Sequence, residues 1–268
     1  MGKGDRVKRY IVGAIVLAGA AVSAAESIYA AAKDNKPPPM RFEWRTEGPA
    51  EQCREHCRTW ISATGVITEE TARTFEAFAK AHDVRGATMV LDSEGGSVIT
   101  AMVLGRVVRT FDMTTTVGRT NLLPAGPDGT QRATLSPKAN CESMCAFVLL
   151  AGIRRYVPTD ARVLVHQIWL GAKSRRAREA NYSADELNLV QRDVGRLARY
   201  TIEMGGGIEL IETALRVPPW EPMYRLTADE LRRTRLTTVD YLFEPATPAP
   251  AVAAVAPTGS ATSAQGQR

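Results

Sequence analysis

Aromatic residues are scarce in this sequence, and no part of it combines them with a run of basic residues. Phe, Trp and Tyr together make up 6% of the 268 residues, and there are three histidines. The formal net charge is +5, but the arginines are scattered along the chain. Grooves that bind single-stranded nucleic acids combine a basic track with aromatic platforms. We therefore do not expect nucleic-acid binding.

A long apolar run is also missing near the N-terminus. The run at 10–25 is shorter than the roughly 20 residues that a membrane-spanning helix needs, and four basic residues precede it, in the order of an export signal. No cysteine follows it, which argues against a lipoprotein anchor. We expect residues 1–30 to be a signal peptide, or an N-terminal anchor if they are not cleaved. The protein is then periplasmic or otherwise exported, with a membrane contact only in the uncleaved form.

The rest of the chain divides by composition. Residues 244–268 consist mostly of Pro, Ala, Ser, Thr and Gly, with almost no charge or large apolar side chains. Such a segment cannot bury a core, so we predict a disordered tail there. Residues 31–52 are predicted to be a linker. Residues 53–243 have the size and the apolar content of one ordinary domain.

Four cysteines form two Cys-x-x-x-Cys pairs, Cys53/Cys57 and Cys141/Cys145. An exported protein meets an oxidising compartment, so disulfides are the expected state. Each pair can close on itself, or the two pairs can cross-link, and the spacing does not decide between these. A four-cysteine zinc site is a weaker third alternative. No histidine has a partner at ligand spacing, so we assign no metal and no cofactor.

The middle of the chain alternates between two patterns of apolar residues, one typical of strands and one of helices. The predicted strands lie at 59–67, 86–98, 113–118 and 161–169. The predicted helices lie at 68–83, 99–111, 143–152 and 183–204, and residues 119–140 predict a loop. Repeated alternation of strand and helix favours an α/β fold with a largely parallel sheet.

Three features then occur in chain order: a Gly-Gly turn after a strand, Ser143 at the start of an apolar helix, and His166 at the end of a strand. Taken singly, they are typical of a tight turn, a helix cap and an ordinary histidine. Taken together, they match the needs of acyl transfer. His166 can activate Ser143 as a base, and the backbone N–H groups of Gly96 and Met144 can stabilise an oxyanion.

Four segments resemble the proteolytic subunit of the Clp protease and its relatives in the Clp/crotonase superfamily. They are "LDSEGGSV", "CESMCAFVLLAG", "RRYVPTDARVLVHQ" and "IETALRVPPWEPMYRLTADELRRTRLTTVD". The resemblance covers about residues 59–242 and is closest to exported relatives that carry Cys-x-Ser-x-Cys. It implies a single-domain spiral of ββα units, with Ser143 as nucleophile, His166 as general base, and Gly96 and Met144 as oxyanion donors. The implied substrate is a peptide or unfolded protein. The resemblance leaves undecided whether the protein forms a homo-oligomer.

The chain departs from this family in the third member of the triad. The family's aspartate falls in the loop that reads "RVPPWEPMYRLTADEL" here, and this loop has no aspartate before Asp229. Glu221 is the nearest acid, and its longer carboxylate side chain can also orient a histidine. Asp185 and Asp193, on the predicted long helix, are more remote substitutes.

Two functions remain in competition at this point. One is a serine peptidase, independent of ATP, that acts through an acyl-enzyme on Ser143. The other is a catalytically inactive Clp-like fold that serves as a binding or assembly module, which the missing aspartate favours. A lysine base, Lys138 or Lys173, ranks below His166 because polar surroundings do not depress a lysine pKa. Acyl-CoA chemistry lacks support. We expect Arg154 and Arg155 to be solvated.

Overall fold

The computed structural model describes residues 37–126, 129–171, 176 and 178–242. The predicted signal segment 1–30 and tail 244–268 therefore lie outside the described residues, as does Lys173. No helix in the described part of the chain is long and apolar enough to cross a membrane.

A five-stranded sheet in the order β1-β2-β3-β4-β8 is the centre of the fold. Its strands are β1 (Arg41–Thr46), β2 (Thr59–Thr64), β3 (Thr88–Asp92), β4 (Thr114–Val117) and β8 (Arg154–Tyr156). The last four are parallel to one another, and β1 pairs antiparallel with β2 at the edge. Met89, Val90 and Leu91 of β3 are all buried. Such continuous apolar runs are typical of parallel strands that are covered on both faces.

Two smaller sheets lie beside the main one. The first has the order β10-β9-β7 and consists of β7 (Asn140–Glu142), β9 (Arg162–Val165) and β10 (Tyr224–Arg225). The second is a hairpin of β5 (Arg119–Leu122) and β6 (Ala133–Ser136). An isolated parallel bridge between Ser93 and Cys141 connects the end of β3 to β7. The carboxyl ends of β3, β7 and β9 therefore come together.

Seven α-helices and a 3-10 turn at Arg54–His56 connect these strands in the described residues. They are α1 (Ala50–Cys53), α2 (Thr71–Ala81), α3 (Val98–Thr110), α4 (Cys145–Leu150), α5 (Ala184–Glu203), α6 (Glu209–Leu215) and α7 (Ala228–Arg233). All six residues of α4 are buried. The long helix α5 begins with the predicted Ser183 cap, in a capping box with Glu186. The mixed α/β architecture and the parallel strands are thus confirmed.

Two sequence predictions about connecting segments are wrong. Residues 31–52 were expected to be a linker, but β1 lies within them and pairs with β2 along its whole length. Met40 and Phe42 join the hydrophobic core, which is why this segment folds with the domain. Residues 119–140 were expected to be a loop, but they contain the hairpin of β5 and β6. Its strands are four residues long and largely polar, so their alternation is weak.

The expectation that Arg155 is solvated is also wrong. Its side chain is 6% exposed, and its guanidinium donates to the carbonyl oxygens of Leu150 and Met204. The last carbonyls of a helix have no partner within the helix, so a guanidinium at the end of α4 satisfies them. Burial, together with the positive charges of Arg109 and Arg235, lowers the pKa of Arg155 to about 10.

Candidate active site

Ser143 lies in a tight turn between β7 and α4. Its backbone φ is +52°, in the left-handed region that residues with a β-carbon rarely adopt. Its N–H donates to the carbonyl oxygen of Leu164 in β9 at 2.8 Å. The residue at the N-cap of α4 is Met144, and no side chain caps this helix. Ser143 is therefore not a capping serine, and its hydroxyl is available for another partner.

That partner is His166. The strands β7 and β9 are parallel, with Glu142 opposite Leu164. Ser143 and His166 follow these two residues at the same edge of the small sheet, and Ser143 Oγ lies 2.9 Å from His166 Nε2. In the tautomer that carries its proton on Nδ1, the serine hydroxyl donates to Nε2. Ser143 and His166, the predicted nucleophile and base, are thus joined by a hydrogen bond.

The electrostatic setting of His166 favours the neutral imidazole. The ring is partly buried, and this loss of solvation lowers its pKa below the ordinary value. A neutral ring at neutral pH has a lone pair on Nε2, which a general base requires. The side chain can therefore accept the Ser143 proton over a wider pH range than a solvated histidine can.

The Gly-Gly turn after β3 packs directly against the Ser143 turn. A β-carbon on Gly95 would lie 2.8 Å from Met144 N and 2.9 Å from Ser143 Cβ, and Gly95 has a φ of +82°. Only glycine fits at this position. Sequence reasoning selected Gly96 and missed this role of Gly95, although the doubled glycine was the signal for a close approach of two backbones.

The two predicted oxyanion donors have main-chain N–H groups available. Ile67 accepts from Ser97 N–H at 2.8 Å and donates to Gly95 O at 2.7 Å, so the Gly96 N–H lies on the side away from Ile67. Among the described residues, no acceptor pairs with the N–H of Gly96 or of Met144. Met144 directly follows the serine, so its N–H lies close to the serine hydroxyl.

Each Cys-x-x-x-Cys pair closes on itself. The Cα atoms are 4.7 Å apart in Cys53–Cys57 and 5.2 Å apart in Cys141–Cys145. The cross-linked pairing and the four-cysteine zinc site are therefore wrong. In the described residues no three His, Cys, Asp or Glu side chains come together as a metal site requires. The second disulfide encloses Ser143.

None of the three acids that the sequence offers as a partner for His166 contacts it in the described residues. Glu221 is exposed in a turn whose N–H donates to Pro218 O, and it forms no hydrogen bond or ion pair with His166. Asp185 is exposed in the first turn of α5, and Asp193 pairs with Arg196. Within the described part of the chain, no carboxylate reaches the imidazole. The turn after Pro218 explains this, because it directs Glu221 to solvent.

No family model and no curated protein matches this chain. The resemblance to the Clp protease therefore depends on the four sequence segments. Those segments placed Ser143, His166 and the Gly-Gly turn in order along the chain, and the fold brings all three to one edge. The Lys138 alternative receives no such support, because Lys138 is exposed and makes no contact with Ser143.

An apolar pocket opens next to His166, and sequence reasoning did not identify it. Its lining includes Phe147 of α4, Ile168 after β9, Leu197 of α5 and Ile211 of α6. The apolar spacing along α5 and α6 predicts buried helix faces, but it does not show that these faces meet beside the histidine. Its volume is about 10 Å³, which is room for a single water molecule, so no substrate side chain fits there unless the lining residues move.

Proposed function

We propose that the protein is a serine hydrolase, and specifically a peptidase that acts on peptides or unfolded protein segments through an acyl-enzyme on Ser143. The observation that carries this proposal is the 2.9 Å hydrogen bond between Ser143 Oγ and His166 Nε2. The serine has a left-handed backbone at a turn between strand and helix. That geometry exposes a nucleophile and is rarely retained without a function.

Acylation uses the neutral form of His166. Its Nε2 accepts the Ser143 proton while Oγ attacks the carbonyl carbon of the substrate, which gives a tetrahedral oxyanion. The N–H groups of Gly96 and Met144 donate hydrogen bonds to this oxyanion. Fixed donors of this kind stabilise the developing charge more than they stabilise the ground state.

Collapse of the intermediate then requires a proton for the leaving amine. The His166 imidazolium supplies it, and a water molecule later repeats the sequence to release the acyl group. In the described residues no carboxylate stabilises the imidazolium or fixes its tautomer. Loss of that group in other serine proteases slows turnover about 10⁴-fold. We therefore expect acylation to be easier to detect than substrate turnover.

The same proposal includes the finer fold and the compartment. A Clp/crotonase-like spiral of ββα units is supported by the order of parallel strands, β2, β3 and β4, each joined to the next by a helix. The two disulfides suit an oxidising compartment, which supports export to the periplasm. Such a compartment supplies no ATP-driven unfoldase, so the substrate is short, already extended, or delivered by another protein.

A second candidate function is an inactive Clp-like fold used for binding or assembly. The specific observation in its favour is that His166 has no carboxylate partner in the described part of the chain. This candidate predicts that Ser143 and His166 form an ordinary hydrogen bond without unusual nucleophilicity.

Labelling of the purified protein with a fluorophosphonate probe separates the two functions. Wild type, Ser143→Ala and His166→Ala are compared, with Ser136→Ala and His82→Ala as matched controls outside the site. The peptidase proposal expects labelling of wild type and both controls and its loss in the two site variants. A well-folded wild type that does not react under oxidising or reducing conditions would overturn it in favour of the binding module.

A further inference from the structure

The Cys141–Cys145 disulfide closes a ring around the proposed nucleophile. Cys141 is in β7, and Cys145 is the first residue of α4. Their Cα atoms are 5.2 Å apart, and Ser143 is the middle one of the three residues between them. The bond therefore joins the end of a strand to the start of a helix, across the residue whose hydroxyl contacts His166.

Ser143 needs a restraint of this kind. A left-handed backbone is unfavourable for a residue with a β-carbon, and it persists only when the surroundings hold it in place. Here both ends of the ring are fixed. Cys141 and Cys145 are each 0% exposed, and Cys141 pairs with Val163 in β9. A short covalent link between two fixed ends leaves the Ser143 turn few other conformations.

The base lacks an equivalent restraint. In a Ser-His-Asp triad the acid holds the imidazole in its tautomer and orientation. No carboxylate among the described residues contacts His166, so the ring is held by its position directly after β9, by the residues packed around it and by its hydrogen bond to Ser143. The alignment of the pair then depends more heavily on how firmly the serine is held.

We infer that Cys141 and Cys145 are positioning residues, whose disulfide holds Ser143 Oγ and the Met144 N–H in the reactive geometry, so that the site becomes competent only once this bond has formed. The inference rests on the proposed function. Forming the bond removes two protons and two electrons from the two thiols, and a disulfide-bearing oxidant takes them up. Both sulfurs are buried in the native fold, so the bond forms before α4 packs.

A purely stabilising role is the alternative, and the chain contains its own control. Cys53–Cys57 closes a ring of the same size, so the loss of chain entropy in the unfolded state is the same for both bonds. Stabilisation alone predicts that removing either bond leaves the reactivity of the folded protein unchanged. Positioning predicts an effect for Cys141–Cys145 only.

The test compares the double variant Cys141→Ala/Cys145→Ala with the control Cys53→Ala/Cys57→Ala. The rate constant for fluorophosphonate labelling is measured at a temperature at which circular dichroism shows all three proteins folded. We expect at least a 20-fold loss for the first variant and less than a twofold change for the control. A first variant that labels within twofold of wild type would overturn the inference.

A crystal structure of the same variant gives a readout that does not depend on activity. We expect Ser143 to leave the left-handed region and its Oγ to move beyond 3.5 Å from His166 Nε2. An unchanged turn contradicts positioning, even if wild type proves unreactive and the proposed function fails. Failure of the function and failure of the inference are therefore distinguishable.

Wild type itself supplies a further measurement if the variant does not fold. A phosphine reductant is added in mild denaturant, and alkylation followed by mass spectrometry shows which disulfide has opened. Labelling should persist when Cys53–Cys57 opens and disappear in step with Cys141–Cys145. Labelling that survives opening of the buried bond in folded protein overturns the inference.

Discussion

The two disulfides close rings of equal size in opposite surroundings. Cys141 and Cys145 are fully buried under the Ser143 turn. Cys53 and Cys57 are only half-buried and lie between the end of α1 and the start of β2, where Arg132 approaches Cys57 Sγ at 3.6 Å. The same spacing thus occurs once inside the core and once at the surface, and each ring encloses a residue with a positive φ, Ser143 in one and Arg54 in the other.

This difference shows that spacing predicts a bond and surroundings decide what the bond does. The surface ring joins a four-residue helix to its neighbours and encloses residues that are exposed. The buried ring encloses the residue that contacts His166. Perturbing each region separately should therefore give different results, from loss of reactivity at one to small changes in reduction rate at the other.

Gly95→Ala should have the largest effect, because it presses on the buried ring. The added methyl group would overlap Met144 N and Ser143 Cβ, and the positive φ of Gly95 adds strain. Misplacement of a reacting group by about 1 Å can cost on the order of 100-fold in rate. We expect fluorophosphonate labelling to fall by at least that factor in the folded protein.

Gly86→Ala is the matched control for this substitution. Gly86 also has a positive φ, +68°, but a β-carbon there would meet nothing within 4 Å. The Gly86→Ala variant therefore has the same kind of backbone strain but no new contact with Ser143. Equal loss of labelling in both variants would show that global destabilisation, and not pressure on the buried ring, is responsible.

Removing the two disulfides one at a time should lower the free energy of unfolding by different amounts. Closing a ring of this size stabilises the fold by about 2 kcal/mol through the entropy of the unfolded chain, and this contribution is common to both. Replacing Cys141 and Cys145 by alanine also leaves a cavity in the core, which raises the cost to about 3–4 kcal/mol. Urea unfolding of the two double variants measures the difference. Equal midpoints would contradict a tightly packed buried ring.

Much of the fold could be predicted because its elements have strong local patterns. Runs such as "TWISAT" and "TMVLD" are apolar and rich in β-branched residues, and the Ser183 cap marks the start of α5. The strand β1 was missed because it follows a proline-rich stretch and is a single edge strand. The burial of Arg155 could not be predicted, since it depends on the end of α5, whose Met204 carbonyl tertiary packing brings to the guanidinium.

The site was predictable only in its order along the chain. The Gly-Gly turn, Ser143 and His166 were identified from sequence. The parallel register of β7 and β9 brings the serine to the histidine, and the bridge between Ser93 and Cys141 brings the Gly-Gly turn to the serine. Which of two adjacent glycines touches the serine depends on the approach of another segment, so Gly95 was missed. The same limit applies to Glu221, because one turn decides whether a carboxylate faces the histidine or the solvent.

The pH dependence of the labelling rate should test whether the reactivity comes from Ser143 and the partly buried His166. The pKa of His166 is lowered by burial, and only the neutral ring accepts the serine proton. Labelling should therefore rise with pH and reach half its maximum below about pH 6.5, the ordinary histidine value. Below that point it should fall about tenfold per pH unit. His82→Ala should retain the profile, and a midpoint above the ordinary value would contradict the burial of a neutral base.

Arg132→Ala should have the smallest effect, and we expect this effect only at the Cys53–Cys57 ring. The Arg132 guanidinium donates to Glu47 O at 2.9 Å and contacts Cys57 Sγ. A nearby cation stabilises the thiolate that leaves when a disulfide is reduced. Reduction of Cys53–Cys57 by a neutral dithiol should therefore be about threefold to tenfold slower in the variant, with Arg132→Lys closer to wild type. Labelling of Ser143 should not change, since the surface ring does not contact the Ser143 turn. A loss of labelling in Arg132→Ala would show that the two rings are coupled and would remove the contrast between them.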